Sequence, residues 1–286
     1  MFNTFTVIPQ IPIADWTEEF TKTITRTYSF LFDPIKTHFG SFMEWTADIL
    51  SSINPFVFMI VIAIIAFFLT GRKLGLATFT LIGLLFVQNQ GYWTELIETF
   101  SLVLISSLLS VMIGVPIGIL MSKSKVAEII ITPILDFMQT MPAFVYLIPA
   151  VAFFGIGMVP GVFASLIFAT PPTVRFTNLG IRQVSKELIE ASESFGSTGW
   201  QRLFKVELPM AKATIMAGIN QTVMLALSMV VIASMIGAPG LGREVLSSLQ
   251  RAQVGTGFVA GIGIVILAII IDRFTQNMNK SKRNNK

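Results

Sequence analysis

The scarcest thing in this chain is charge. Only 13% of its 286 residues are Asp, Glu, Lys or Arg, while 53% are hydrophobic. An ordinary soluble domain carries roughly 25% charged residues, and about half that cannot cover a water-facing surface of this size. The shortage directs the chain into a bilayer, as an all-α polytopic membrane protein. The rest of the composition removes whole classes of chemistry. There are no cysteines, which removes disulfides, thiolate zinc sites, iron–sulfur clusters and a Cys nucleophile. The single histidine, His38, leaves no multi-His metal site. No GxxxxGK[ST] run is present, so the chain has no P-loop of its own.

Crossing about 30 Å of hydrocarbon takes roughly 20 helical residues. Seven apolar runs approach that length: 53–70, 74–88, 96–121, 140–158, 161–177, 212–236 and 254–271. The second is short and needs local thinning of the bilayer. Tyr92 and Trp93 follow it, where an interfacial aromatic belt sits. Gly114/Gly118 and Gly257/Gly261 stand at GxxxG spacing, which lets helix backbones approach closely. Packing within the chain is the preferred use of both pairs, over a contact between copies.

Seven crossings put Arg72, Lys73, Lys123, Lys125, Arg175, Arg182, Lys186, Arg202, Lys205, Lys212, Arg273, Lys280, Lys282, Arg283 and Lys286 on one side. Only Lys22, Arg26, Lys36, Arg243 and Arg251 fall on the other. This three-to-one bias places the first side in the cytoplasm, the N-terminus outside and the C-terminus inside. The first 50 residues are too charged to span. Trp16, Phe20, Ile24 and Tyr28 recur every four residues, and Phe39, Phe42, Trp45, Ile49 and Leu50 repeat the pattern. This predicts amphipathic helices on the outer membrane surface, broken at Asp33-Pro34.

The span interiors hold almost no ionisable groups. Glu98, Asp136, Lys212 and Asp272 sit at or near span ends. Transporters driven by a coupling ion carry such groups inside their spans, so the driving energy comes from outside this chain. The candidate path residues are Asp136, Gln139, Asn220, Gln221 and Ser228. Asn220 and Gln221 are equally readable as ties between helices, and Asp136 as the partner of a basic group at the membrane edge. The glycine-rich loop with Gly237, Pro239, Gly240 and Gly242 is either a plain turn or an external gate segment.

The longest cytoplasmic connection, 176–210, carries two legible helices. The first covers 186–195, with Leu188, Ala191, Ser192 and Phe195 on one face and Gly196 as its stop. Thr198 caps the second, with Gln201 at capping-box spacing, and Pro209 ends the segment before the sixth span.

Here the sequence resembles a known family. Glu190-Ala191-Ser192, then Gly196, then nine residues to Val206, then Leu208-Pro209 match the pattern EAAxxxG, nine residues, IxLP. That pattern marks the membrane subunits of binding-protein-dependent ABC importers. Ser192 for Ala and Val206 for Ile are the departures. The runs 132–149, 170–175 and 236–242, and the chain from about Ile11 to Asn277, resemble the glycine betaine/proline importer permeases in particular. The resemblance implies a type I, MetI-like permease core at 94–275. Around it lie an external amphipathic extension (1–52), two peripheral transmembrane helices (53–93) and a basic cytoplasmic tail (276–286).

The resemblance further implies a non-catalytic subunit of a bacterial inner membrane importer. Glu190, Ala191, Ser192, Gly196, Leu203, Val206, Leu208 and Pro209 would form a coupling helix docked on a cytoplasmic ATPase. ATP and Mg would be bound by that ATPase; this chain would hold no cofactor and no metal. The implied partners are a second permease copy, two ATP-binding subunits, an external osmolyte-binding protein and membrane lipid, with no nucleic acid. The implied cargo is glycine betaine or a related osmoprotectant: proline betaine, carnitine, a choline-like compound or proline. None of Trp16, Trp45, Trp93 and Trp200 falls mid-span, so no aromatic cage for a quaternary ammonium is legible in the membrane part. The competing reading from physics alone is a self-sufficient secondary transporter or channel.

Overall fold

Inside hydrocarbon every backbone N–H and C=O must be paired within the protein, so apolar runs of this kind coil into helices. The computed structural model describes residues 11–72 and 74–280, the side chains of 278–280 excepted. Lys73 and most of the basic tail, including Lys282, Arg283 and Lys286, lie outside the described residues. Among those residues every regular element is a helix. The extension holds α1 (Ile13–Thr27), α2 (Ser29–Pro34) and α3 (Gly40–Ser52). Next come α4 (Pro55–Leu69), α5 (Leu74–Asn89), α6 (Trp93–Lys123), α7 (Lys125–Thr140), α8 (Leu147–Phe154) and α9 (Met158–Arg182). The last are α10 (Lys186–Ser194), α11 (Gly199–Arg202), α12 (Leu208–Ser234), α13 (Leu241–Gln250) and α14 (Val254–Lys280).

The centre of the bundle is α9, gripped by α6 on one side and α12 on the other. Its 25 residues reach about 37 Å, enough to cross a bilayer. Small residues make the close approach. A Cβ on Gly118 would stand 2.5 Å from Thr177 and 2.7 Å from the Val174 carbonyl, and one on Gly114 2.9 Å from Thr173. On the opposite flank a Cβ on Gly218 would meet Phe176 at 2.6 Å. The first GxxxG pair is therefore spent within the chain. The second differs: Gly257 has only Ser248 near it and Gly261 faces open space. Pro171 and Pro172 interrupt α9, and hydroxyls cover carbonyls around them. Ser110 and Thr170 donate to the Leu166 carbonyl at 3.3 and 2.6 Å, and Thr222 to that of Ala169 at 2.8 Å. A second apolar layer joins α4, α5, α6, α12, α13 and α14 through Leu84, Val87, Leu96, Leu241 and Ile266.

Three expectations are corrected. The fourth crossing, 140–158, is not one helix. Residues 125–140, nearly all outside the expected crossings, form α7. The chain then turns by 109° through extended Met141 (ψ 134°) into a 3-10 turn, Ala143–Tyr146, and α8. The residue before a proline is pushed out of the helical region and the proline lacks an N–H, so Met141-Pro142 is where the helix stops. Secondly, Asp33-Pro34 does not break the extension. Pro34 closes α2, and a wide π turn, Ile35–Phe39, carries the chain into α3. Thirdly, Pro209 does not separate the cytoplasmic loop from the sixth span. A π turn at Leu203–Glu207 runs straight into α12, with Pro209 two residues after that turn.

By length and apolar composition, α6, the continuous rod 199–234 and α14 each suffice to cross a membrane. Two more crossings arise if the bent pairs 29–52 with 55–69 and 125–140 with 143–154 each count as one. The extension does not lie free of the bundle. Met43 is fully buried in the core, Phe39 packs 5.7 Å from Phe163, and Phe32 stacks 4.9 Å from Phe153. By contrast α1 buries no residue and leaves Trp16 and Phe20 exposed.

Candidate functional site

The loop at one end of α12 is built from short-range signals and held by long-range charge. Helix α10 ends in a Schellman-type turn: Gly196 N–H reaches the Glu193 carbonyl at 2.8 Å and Ser197 N–H that of Ser192 at 3.1 Å. Gly196 has φ +76°, a conformation that penalises any Cβ. Thr198 then caps α11 with a full capping box. Its N–H donates to Gln201 Oε1 at 2.9 Å, and Gln201 N–H to Thr198 Oγ1 at 3.4 Å.

Glu190 and Ala191 are exposed, Ser192 is half-buried, and its hydroxyl turns back to the Ile189 carbonyl at 2.8 Å. Leu203 is buried with Ile181, Ala211 and Ile215; Leu208 packs on that cluster. Val206 is half-buried and Pro209 exposed. Of the eight residues in the motif, Leu203, Val206 and Leu208 thus face the membrane helices, and Glu190, Ala191, Gly196 and Pro209 face out.

Glu207 is the residue the sequence did not single out. It occupies the free position of the IxLP pattern, yet its side chain is 2% exposed. One carboxylate oxygen meets Lys123 at the end of α6, and the other accepts from Arg202 Nε at 3.0 Å. Arg202 continues to Glu193 on α10. A buried carboxylate is tolerated only when paired; this one ties the loop to the end of α6 through Lys123 and to α11 through Arg202. Nothing local marks it, because Lys123 lies 84 positions away. Around this strut the surface is strongly apolar. Phe195 is 90% and Trp200 72% exposed. Trp200 stacks on Phe204 at 5.6 Å, and with Ile119 and Leu120 the pair lines a groove of about 630 Å³. An exposed apolar patch of this kind marks a contact surface.

A second region lies where α7, α9 and α12 meet. Asp136 on α7 pairs with Arg175 on α9. Arg175, counted with the cytoplasmic charges at the end of the fifth run, stands inside α9, which continues to Arg182. Gln139, Arg175 and Gln221 line one cleft of about 350 Å³ with Phe168 and Phe176. Asn220 and Gln221 part company here. Asn220 turns to α14 and donates to Asp272 Oδ1 at 2.9 Å, an interhelical tie of the expected sort. Gln221 and Ser228 share the exposed face of α12, where Ser228 bonds its own helix at the Met224 carbonyl, 3.0 Å away.

At the other end of α12 the loop Gly237–Gly242 is a clamped turn. Gly237 and Gly240 have φ +84° and +108°. A Cβ on Gly240 would stand 2.5 Å from Thr99 Oγ1 and 3.1 Å from the Glu95 carbonyl, and one on Gly242 2.5 Å from the Val230 carbonyl. Leu241 N–H donates to Thr99 Oγ1 at 2.8 Å, and Gly157 N–H to the Ile236 carbonyl at 2.9 Å. The loop leads into α13, an amphipathic helix packed on α14. Among the described residues no three His, Cys, Asp or Glu side chains are grouped to hold a metal ion.

Comparison with known proteins fits this arrangement. Residues 110–284 match the family described as binding-protein-dependent transport system inner membrane component. The glycine betaine/carnitine transport permease protein GbuB of Listeria monocytogenes is 56% identical, over 96% of this chain and 98% of that one. The glycine betaine transport system permease protein OpuAB of Bacillus subtilis is 52% identical, over 96% and 97%. The glycine betaine/proline betaine permease ProW of Escherichia coli is 46% identical, over 96% of this chain and 77% of its own length. A solved structure of the MetNI methionine ABC transporter, in an inward-facing conformation, superposes with a TM-score of 0.58 at 21% identity. The match covers 64% of this chain and 92% of that one, and it shows a shared fold.

Proposed function

The chain belongs to the binding-protein-dependent transport system inner membrane components, the permease subunits of ABC importers, and on that premise we propose that it moves glycine betaine or a related osmoprotectant across a bacterial cell membrane. The cargo follows from the names of its relatives. Related cargoes are proline betaine, carnitine, choline-like compounds and proline.

The reading makes this subunit non-catalytic. A separate ATPase binds and hydrolyses ATP with Mg, and two copies of each subunit assemble. A binding protein delivers the cargo from outside. The N-terminus then lies outside and the C-terminus in the cytoplasm, by the Lys and Arg bias. Residues Glu190–Pro209 dock on the ATPase, while Asp136, Gln139, Gln221 and Ser228 border the path.

One observation carries this reading: the Lys186–Pro209 segment is at once exposed, apolar at Phe195, Trp200 and Phe204, and anchored by the buried Glu207, which pairs with Lys123 on α6 and with Arg202 on α11. A surface built to be gripped and a strut built to transmit force occur in the same loop. The scarcity of ionisable groups inside the spans supports an energy source outside the chain.

The test is reconstitution in proteoliposomes of the permease, its ATPase and its binding protein. ATP-dependent glycine betaine uptake is expected with all three and not with the permease alone. Uptake by the permease alone under a proton or sodium gradient would favour a self-sufficient transporter. For the docking surface, Trp200→Ala should lower co-purification of the ATPase at least tenfold while the melting midpoint in detergent stays put.

A further inference from the structure

Charged and amide side chains on the exposed face of a membrane bundle are costly against lipid and are kept where they line water or protein. The cleft between α7, α9 and α12 collects such groups: Gln139, Arg175 and Gln221 line it, with Phe168 and Phe176 in the wall, and Asp136 stands beside it as the ion-pair partner of Arg175. Arg175 lies about seven residues, roughly 10 Å, inside the end of α9. Its Nε is buried and has no hydrogen-bond partner, so the guanidinium fork still has a donor to offer.

The geometry points to this cleft as the transit site for a zwitterion, in which the Asp136–Arg175 pair opens and each member takes the opposite pole of the cargo. The inference rests on the importer reading and adds where, and by which charges, the cargo is held. The argument is one of balance. In the empty cleft the two side chains neutralise each other. A molecule with one carboxylate and one ammonium can replace that pair without leaving a charge uncompensated. Arg175 receives the carboxylate, to which its planar fork is matched. A quaternary ammonium has no N–H to donate, so it is held by the Asp136 charge and by aromatic faces, here Phe168 and Phe176. A simple cation or anion would pair with one member and leave the other without a counter-charge. The exchange of one ion pair for two also leaves little net gain, so the site binds weakly, as a place of passage must.

The test uses the complete transporter, with permease, ATPase and binding protein in proteoliposomes. The double variant Asp136→Asn with Arg175→Gln removes the pair without orphaning either charge. A pair that only braces α7 against α9 predicts glycine betaine uptake within twofold of the parent protein in the double variant. The transit role predicts a loss of at least tenfold even when permease and ATPase still co-purify. Uptake within twofold overturns the proposal, whereas a parent protein that takes up nothing overturns the importer reading instead.

A second measurement does not depend on that variant. The chain contains no cysteine, so Gln221→Cys gives a single thiol. It should react with a charged methanethiosulfonate reagent during ATP turnover, and glycine betaine should slow the reaction at least threefold. No reaction in any nucleotide state would place the cleft against lipid and overturn the proposal.

Discussion

The two segments that bracket α12 both turn on glycine, but the glycines stand in opposite surroundings. At Gly196 nothing lies within 4 Å of the point where a Cβ would be, and only the backbone angle requires glycine. At Gly240 the same atom would press on Thr99 and on the Glu95 carbonyl, so both space and angle require it. The first loop shows its apolar side chains to its surroundings and is fastened by ion pairs through Glu207. The second is closed by main-chain hydrogen bonds and buries Leu241 completely. The comparison teaches that one end of α12 leaves its apolar side chains exposed, as the proposed docking requires, and the other is closed by tight contacts. An ABC permease needs both, because a pull delivered to one end of a helix does useful work only if the helix pivots against something firm.

Substitutions can break this contrast. The largest effect is expected at the strut. Glu207→Ala leaves the partly exposed Lys123 without its carboxylate and Arg202 with Glu193 alone, and empties a buried site. Loss of one partner of a buried pair costs about 3–5 kcal/mol, so the melting midpoint in detergent should fall sharply and ATP-driven uptake with it. An unchanged midpoint would mean that water, not protein, surrounds that carboxylate.

Next is Gly240→Ala, where the forced contact and the positive φ add up to about 2–4 kcal/mol. It should lower the midpoint while uptake per folded molecule holds. Smallest in stability is Gly196→Ala, at about 1–2 kcal/mol for the backbone alone, which should leave the midpoint near that of the parent. Its effect belongs to coupling: uptake per ATP hydrolysed should fall more than for Gly240→Ala. The reverse order would dissolve the distinction between the two ends.

Much of the docking loop was legible because its signals are local. The Gly196 stop and the Thr198–Gln201 capping box each span six residues or fewer, and both form as the spacing predicts. The Gly114/Gly118 pair was legible as close packing, though not its partner, α9. Other features escaped. The run 140–158 reads as one crossing by composition, since hydropathy does not register that Pro142 turns the chain by 109°. Pro34 and Pro209 read as breaks, since a π turn leaves no mark in a residue pattern. Asn220 and Gln221 are adjacent in sequence, yet successive helical residues point about 100° apart, and the neighbours decide which is a tie and which borders a cleft.

From the sequence alone came the membrane environment, the approximate positions of most helices, the local structure of the 186–209 loop and the family. These follow from composition and from patterns within a few turns of helix, where the physics is that of transfer into hydrocarbon and of caps. The tertiary structure alone decided which charges meet. Lys123 and Glu207 are 84 positions apart, Asp136 and Arg175 39, Asn220 and Asp272 52. A charge carries no mark of its partner. The pairing is set when α6, α7, α9, α12 and α14 pack, because only then does leaving a charge unpaired become expensive.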